Sequence, residues 1–284
     1  MPKKYEIVHK KVLTPEISSI SVYAPLIAKK AQPGQFIILR DNAEGERIPL
    51  TISSHTEDLV TVVFQKAGAS TIDLDQLQEG DCLADFVGPL GKPTPIKKYT
   101  GRVAVLGGGL GCAIALPVAK ALHDAGNQVD LIGGFKTKHL VILEDDMKAA
   151  STNLYICTDD GTYGTHGFVT NKLEDLIKEG NQYDHVFAIG PLIMMKFAAK
   201  LTEKYNIPTT VSMSPLMIDG TGMCGGCRLT VGGEIKFACV DGPDFDGHTV
   251  DFDEAIARNR SYKLFEDKER EEHLCRLTGG VRHA

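Results

Sequence analysis

Three thiols crowd one glycine-rich stretch of this 284-residue sequence: Cys224-Gly225-Gly226-Cys227, then Cys239. Thiolates at this spacing, in backbone without a regular period, suit a metal or a cluster, and glycine lets N–H groups point at sulfur and tune it. Two other chemistries share the pattern: a redox CxxC, and a zinc knuckle with His248 as fourth ligand. A redox CxxC opens a helix after a strand and needs no third Cys, and neither condition holds here. An iron–sulfur cluster is favoured over zinc, and it needs one more donor. Asp219, five positions before Cys224, is the candidate, although an aspartate in Ile218-Asp219-Gly220 would elsewhere be an ordinary turn residue.

The run Gly107-Gly108-Gly109-Leu110-Gly111 follows an apolar stretch and precedes a helical pattern. Glycine is wanted where backbone turns sharply and approaches a pyrophosphate, whose charge then rests on helix N–H groups. The run is not a strict G-x-G-x-x-G, and a tight structural turn is the plain alternative. The strand-to-helix context nevertheless points to a dinucleotide. Thr158-Asp159-Asp160-Gly161 and Gly190-Pro191 end later apolar runs and should share that carboxyl edge. Earlier, Arg47-Ile48-Pro49-Leu50-Thr51 and Phe64-Gln65-Lys66-Ala67-Gly68-Ala69-Ser70-Thr71 are ordinary when taken alone, an edge proline and a capped helix start. They gain meaning by preceding a nucleotide unit, because Arg47 can hold a phosphate bidentately and Ser70 and Thr71 open a helix N-terminus. The His residues form no i, i+4 pair and no Gly-x-Ser-x-Gly elbow occurs, so nucleophilic hydrolysis has no support.

The elements that must position these residues follow from periodicity. Residues 1–98 predict short strands at Tyr5–Leu13, Ile17–Tyr23, Gln35–Leu39, Ile48–Ser53, Leu59–Gln65 and Cys82–Val87, with one helix at Thr71–Leu77; this is the pattern of a small antiparallel barrel. Residues 99–214 alternate apolar strands (Arg102–Leu106, Val129–Ile132, Leu154–Cys157, His185–Ile189, Thr209–Met213) with helical segments (Ile114–Ala125, Leu140–Ala149, Val169–Glu179, Ile193–Tyr205). That alternation predicts a five-stranded, parallel, doubly wound domain. Residues 215–250 lose periodicity around the thiols, and 251–284 read as a charged helical tail ending in Gly-Gly.

Composition narrows the function classes. With 31 Lys and Arg against 37 Asp and Glu, no basic field invites nucleic acid or anionic lipid. Seven Cys are too few, and odd in number, for a disulfide scaffold. Cys82, Cys112 and Cys157 stand in apolar contexts and read as inert core thiols. The uncharged stretch from Val103 to Ala119 is broken by glycines and Pro117, so a strand, turn and helix explain it better than a membrane span. The start, MPKKYEIVHK, lacks an apolar secretory core, and a soluble, cytoplasmic protein is expected.

A barrel, a parallel α/β unit and then a three-Cys loop is an order that resembles the ferredoxin–NADP reductase superfamily. Within it the chain looks like the branch holding dihydroorotate dehydrogenase electron-transfer subunits, sulfide dehydrogenase small subunits and small subunits of NADH-dependent reduced ferredoxin:NADP oxidoreductases. The motifs nearest the last group are Arg47-Ile48-Pro49-Leu50-Thr51-Ile52, Gly190-Pro191-Leu192-Ile193-Met194-Met195 and Met217-Ile218-Asp219-Gly220-Thr221-Gly222-Met223-Cys224-Gly225-Gly226-Cys227. The resemblance implies an FAD-binding barrel using Arg47, Pro49, Leu50, Thr51, Val63, Phe64, Gln65, Gly68, Ser70 and Thr71. It implies NAD(H) or NADP(H) at Gly107, Gly108, Gly109, Gly111, Asp159, Gly190, Pro191 and Met194. A [2Fe–2S] cluster would be held by Asp219, Cys224, Cys227 and Cys239.

It further implies a larger iron–sulfur flavoprotein partner, ferredoxin reached through that complex, and flavin-based electron bifurcation. Three departures stand out. The dihydroorotate branch has four Cys at the cluster where this chain has Asp219, which favours the ferredoxin:NADP group. Arg47 is one place earlier than the superfamily's Arg-x-Tyr-Ser pattern puts it, which turns it to the other strand face. Ile189 stands where many relatives carry a Cys before Gly-Pro. For the nucleotide, Gly133-Gly134-Phe135-Lys136 offers no ribose-binding acid, and Lys136 or Lys138 would tolerate a 2′-phosphate.

Overall fold

The computed structural model describes residues 2–277, so the expected Gly-Gly at 279–280 lies outside them. The N-terminal strands are β1 (Ile7–Thr14), β2 (Ile17–Tyr23), β3 (Phe36–Arg40), β4 (Ile48–His55), β5 (Leu59–Gln65) and β6 (Asp85–Leu90), with helices α1 (Pro25–Ala28) and α2 (Ala69–Gln76) between them. All pairings are antiparallel, in the order β1-β2-β5-β4-β3-β6. The sheet closes because Ile7 N–H donates to Asp81 O at 2.8 Å and Leu83 N–H to Tyr5 O at 3.0 Å. That closure takes the backbone of 81–83, so the sixth strand starts later than the sequence suggests. Cys82 makes a single bridge with Glu6 and is exposed, which corrects its reading as a core thiol. Period-two alternation gives β3 two roles: Ile37 and Leu39 fill the barrel core, whereas Phe36 and Ile38 face out and join the core beneath the second half of the chain.

The second unit runs β7 (Arg102–Gly108), α3 (Gly111–Asp124), β8 (Gln128–Phe135), α4 (Glu144–Ala149), β9 (Asn153–Thr158), β10 (Thr165–His166), α5 (Val169–Lys178), β11 (Tyr183–Ile189), α6 (Leu192–Lys204) and β12 (Thr209–Ser212). A hairpin follows, β13 (Arg228–Val231) and β14 (Glu234–Phe237), then β15 (Asp244–Asp246), α7 (Phe252–Arg260) and α8 (Lys263–Leu277). The sheet order is β10-β9-β8-β7-β11-β12-β15. The five expected strands are all parallel, β10 extends one edge, and β15 adds antiparallel to the other. The segment after Pro215 therefore contains a hairpin and an edge strand that its glycines concealed.

The expected helix at 140–149 is instead a 3₁₀ turn, Lys138–Leu140, followed by the short α4, because Leu143 at φ 53° interrupts it. The tail is two helices, with the break at Ser261-Tyr262. No helix among the described residues is long and apolar enough to cross a membrane.

Buried Asp130 ties the amino ends of four parallel strands, accepting from Arg102 at 3.0 Å, Asn153 at 2.7 Å and Tyr183 Oη at 2.7 Å. Every partner of that carboxylate is a donor, the condition for burying one. The opposite, carboxyl edge is left for ligands. The barrel docks there through a buried bond in which Ser53 Oγ donates to Ala113 O at 2.9 Å.

Candidate functional site

A cleft of about 400 Å³ separates the barrel from the carboxyl edge of the parallel sheet. Its barrel wall is Phe36 on β3, Pro49 and Thr51 on β4 and Gln65 on β5; its sheet wall is Gly108, Gly109, Leu110 and Gly111 after β7 and Ile189, Gly190 and Pro191 after β11. Strands β7 and β11 are neighbours, yet α3 packs on one sheet face and α6 on the other. The cleft thus opens at the topological switch point, where doubly wound sheets bind ligands. Gly111 is required sterically: a Cβ there would lie 2.5 Å from Ile189 O and 2.7 Å from Gly190 Cα. This contact brings the first turn of α3, the positive end of its helix dipole, against the end of β11.

Eight of the nucleotide residues expected from sequence are brought together in this cleft: Pro49, Thr51, Gln65, Gly108, Gly109, Gly111, Gly190 and Pro191. The others stand around it. Met194 packs against Gly108, and Gly107 is buried beneath Cys112. Phe64 belongs to the barrel core with Leu50 packed against it, whereas Val63 faces the α/β side. Asp159 follows β9 directly, with its N–H donating to Phe135 O at 3.0 Å.

Arg47 precedes β4, and its guanidinium lies 3.7 Å from Asp85, which Arg40 also meets at 2.9 Å. On α2 the Thr71 hydroxyl caps the N–H groups of Ala67 and Gly68, at 3.0 and 3.1 Å. Ser70 Oγ donates to Glu46 at 2.5 Å. Lys136, Ser212, Met213, Ser214, Met217 and Pro243 also line it. Of these, sequence reasoning offered only Lys136, as a 2′-phosphate partner, and Met217, within a motif. The others come from strand ends far apart in sequence, and no local signal marks them.

Met217 leads from the cleft into the thiol loop. Cys227 and Cys239 are buried with their sulfurs 3.2 Å apart, and burial together with the neighbouring thiol pushes Cys239 well above its ordinary pKa. Cys224 is exposed and receives the Gly226 N–H at 3.5 Å. Asp219 accepts from the N–H of Thr221 and of Cys224, each at 2.9 Å, and these amide donors hold its carboxyl below the usual range. Among the described residues no three His, Cys, Asp or Glu side chains converge as a ready-made metal centre. The donor set still fits an iron–sulfur group: three thiols in one glycine-rich loop, with an amide aimed at sulfur and a carboxylate beside them.

Arg258 on α7 donates to Gly226 O at 3.3 Å and backs the loop. The thiols away from the loop differ: Cys112 and Cys157 are buried, and burial raises them to about 12 and about 11.

Residues 214–251 match the iron–sulfur cluster binding domain of dihydroorotate dehydrogenase B. Along its length the chain is 44% identical to a dihydroorotate dehydrogenase B (NAD(+)) electron transfer subunit homolog of Thermotoga maritima, covering 91% of both. It is 32% identical to the corresponding electron transfer subunit of Clostridium acetobutylicum, covering 77% of this chain and 85% of that one. It also superposes, with a TM-score of 0.91 and 39% identity over 96% of its length and 99% of the other, on a chain of a solved NADH-dependent reduced ferredoxin–NADP oxidoreductase studied for flavin-based electron bifurcation.

Proposed function

The chain belongs to the family of dihydroorotate dehydrogenase B electron-transfer subunits, and from that premise we propose that it is the small subunit of a bifurcating, NADH-dependent reduced ferredoxin:NADP oxidoreductase. Members are NAD(P)H-dependent flavin and iron–sulfur oxidoreductase subunits, and this chain is one of them. In the proposed arrangement Pro49, Thr51 and Gln65 hold FAD against the barrel wall. Gly108, Gly109, Gly111, Gly190 and Pro191 hold the nicotinamide nucleotide against the sheet edge, and Asp219, Cys224, Cys227 and Cys239 hold the cluster.

FAD supplies the exchange between two-electron hydride chemistry and one-electron transfer. No side chain need act as acid or base. The chain's own contribution is geometric: two walls set face to face, Ile17, Phe36 and Ile114 lining the cleft with apolar surface, and Met217 joining it to the cluster loop. An electron-transfer subunit works with a catalytic subunit, and we propose a larger iron–sulfur flavoprotein that also engages ferredoxin.

The observation carrying this reading is the likeness over nearly the whole of both chains to the ferredoxin–NADP oxidoreductase structure. A second reading, the electron-transfer subunit of a dihydroorotate dehydrogenase, is favoured by the match at 214–251 and by the relatives' names. Purifying the chain with its native partner decides between them. NADH- and ferredoxin-dependent NADP+ reduction supports the first, and dihydroorotate-dependent NAD+ reduction supports the second.

A further inference from the structure

The cluster loop is seated on the barrel by a glycine. Gly220, next to Asp219, is buried at φ +76°, and a Cβ there would meet Ile38 Cδ1 at 2.6 Å and Leu90 Cδ1 at 2.9 Å. Backbone conformation alone would admit Asn or Asp; the close approach adds that any β-carbon must either push aside the Cδ1 ends of Ile38 and Leu90 or lift the loop. Ile38 is fully buried and, by the alternation of β3, points away from the barrel core toward the loop. Its partner across β3 and β4 is Pro49, and Leu90 pairs with Phe36 across β3 and β6. Both partners, Pro49 and Phe36, line the cleft, as does Met217 three residues before Gly220. The loop thus leaves the cleft at Met217 and comes to rest on the strands whose neighbours form the cleft wall.

We propose that Gly220 is a spacing residue for electron transfer: by letting the loop rest directly on Ile38 and Leu90, it sets the separation between the thiol ligands and the cleft. The inference rests on the reading above, with FAD in the cleft and the cluster in the loop. Oxidation of NADH yields NAD+, a proton and two electrons. A cluster held by the loop would supply one-electron transfer between FAD in the cleft and a one-electron acceptor on the partner, so a longer gap would slow that stage and not the oxidation of NADH. Gly220 touches neither reacting group and acts through the placement of its neighbours.

The test is anaerobic stopped-flow mixing of the native complex with NADH, following flavin bleaching and cluster reduction separately, with EPR of the reduced cluster. Gly220→Ala should keep native FAD, iron and sulfide and a native bleaching rate, while cluster reduction slows severalfold. Adding Ile38→Val, which deletes the opposing Cδ1, should restore much of the rate, an outcome that loss of fold would not produce. Leu90→Phe presses on the same contact from the barrel side with the loop sequence intact, and should slow the same step. Native cluster-reduction rates in Gly220→Ala and Leu90→Phe would overturn the proposal, as would slowing that Ile38→Val leaves unrelieved. Should Gly220→Ala lose its cluster, Leu90→Phe carries the decision, and a native rate there is contrary. Native complex without flavin or iron would sink the functional reading instead, a different and distinguishable failure.

Discussion

Gly111 and Ile189 meet so closely at the mouth of the cleft that a β-carbon on the first would stand 2.5 Å from the carbonyl oxygen of the second. One residue opens α3 and the other ends β11, so this contact fixes how the two sides of the switch point approach. Gly111→Ala must displace backbone, because no flexible side-chain end is available to yield. A loss of ~1–3 kcal/mol in stability is expected from such overpacking. Denaturant unfolding measures it, and NADH titration should show weakened binding while FAD and iron contents hold.

The barrel and the α/β unit share the buried bond from Ser53 to Ala113 O. Ser53→Ala leaves that carbonyl without its partner and should cost about 1–3 kcal/mol. Amide exchange should accelerate in the first turn of α3 more than in β9, which is remote from the bond. Equal changes in both would argue against a local interdomain link.

His185 gives a pH dependence with a definite sign. Its ring packs between Tyr99 and Phe187, at 5.5 and 4.6 Å between centroids, and its Nε2 meets Thr210 Oγ1 at 2.8 Å. Burial, with help from Lys97, lowers its pKa from 6.5 to about 4. The unfolded chain therefore binds this proton more readily than the folded one. The stability due to the neutral ring is complete above pH 6.5 and is lost as pH falls toward 4, by up to about 3 kcal/mol. Unfolding midpoints across that window should fall with pH in the native chain, and His185→Gln should flatten the slope.

Asp219 accepts two loop amides, and it is proposed to ligate the cluster as well. Asp219→Cys and Asp219→Ala should both change the cluster's visible and EPR spectra or its potential. Unaltered spectra and potential in both would leave the residue as a loop organiser only. Cys227→Ser and Cys239→Ser remove buried, converging sulfurs and should abolish iron binding.

Much of this was legible in sequence because it is local. The alternation in Ile17–Tyr23 and Leu59–Gln65 gave strands at those residues, and Gly107–Gly111 marked a strand-to-helix turn because glycine there answers a steric demand. What escaped depends on distance in the chain. β15 is three residues long and exists because β12 offers it an edge, and Ser212, Met213 and Pro243 reach the cleft only once that edge has formed. Cys82 looked apolar by its neighbours, but the closing strand segment holds it at the surface. Arg47, one place early for the superfamily pattern, meets Asp85 and does not line the cleft.

The most direct test of the central claim, that one chain joins a nicotinamide and flavin cleft to a cluster loop, is an anaerobic analysis of the natively purified complex for FAD, iron, acid-labile sulfide and zinc, followed by one addition of NADH. The expected result is FAD with iron and sulfide in equal amount on this chain, and bleaching of both flavin and cluster absorption by NADH. Zinc in place of iron with no flavin, or a flavin that NADH leaves oxidised, would contradict it.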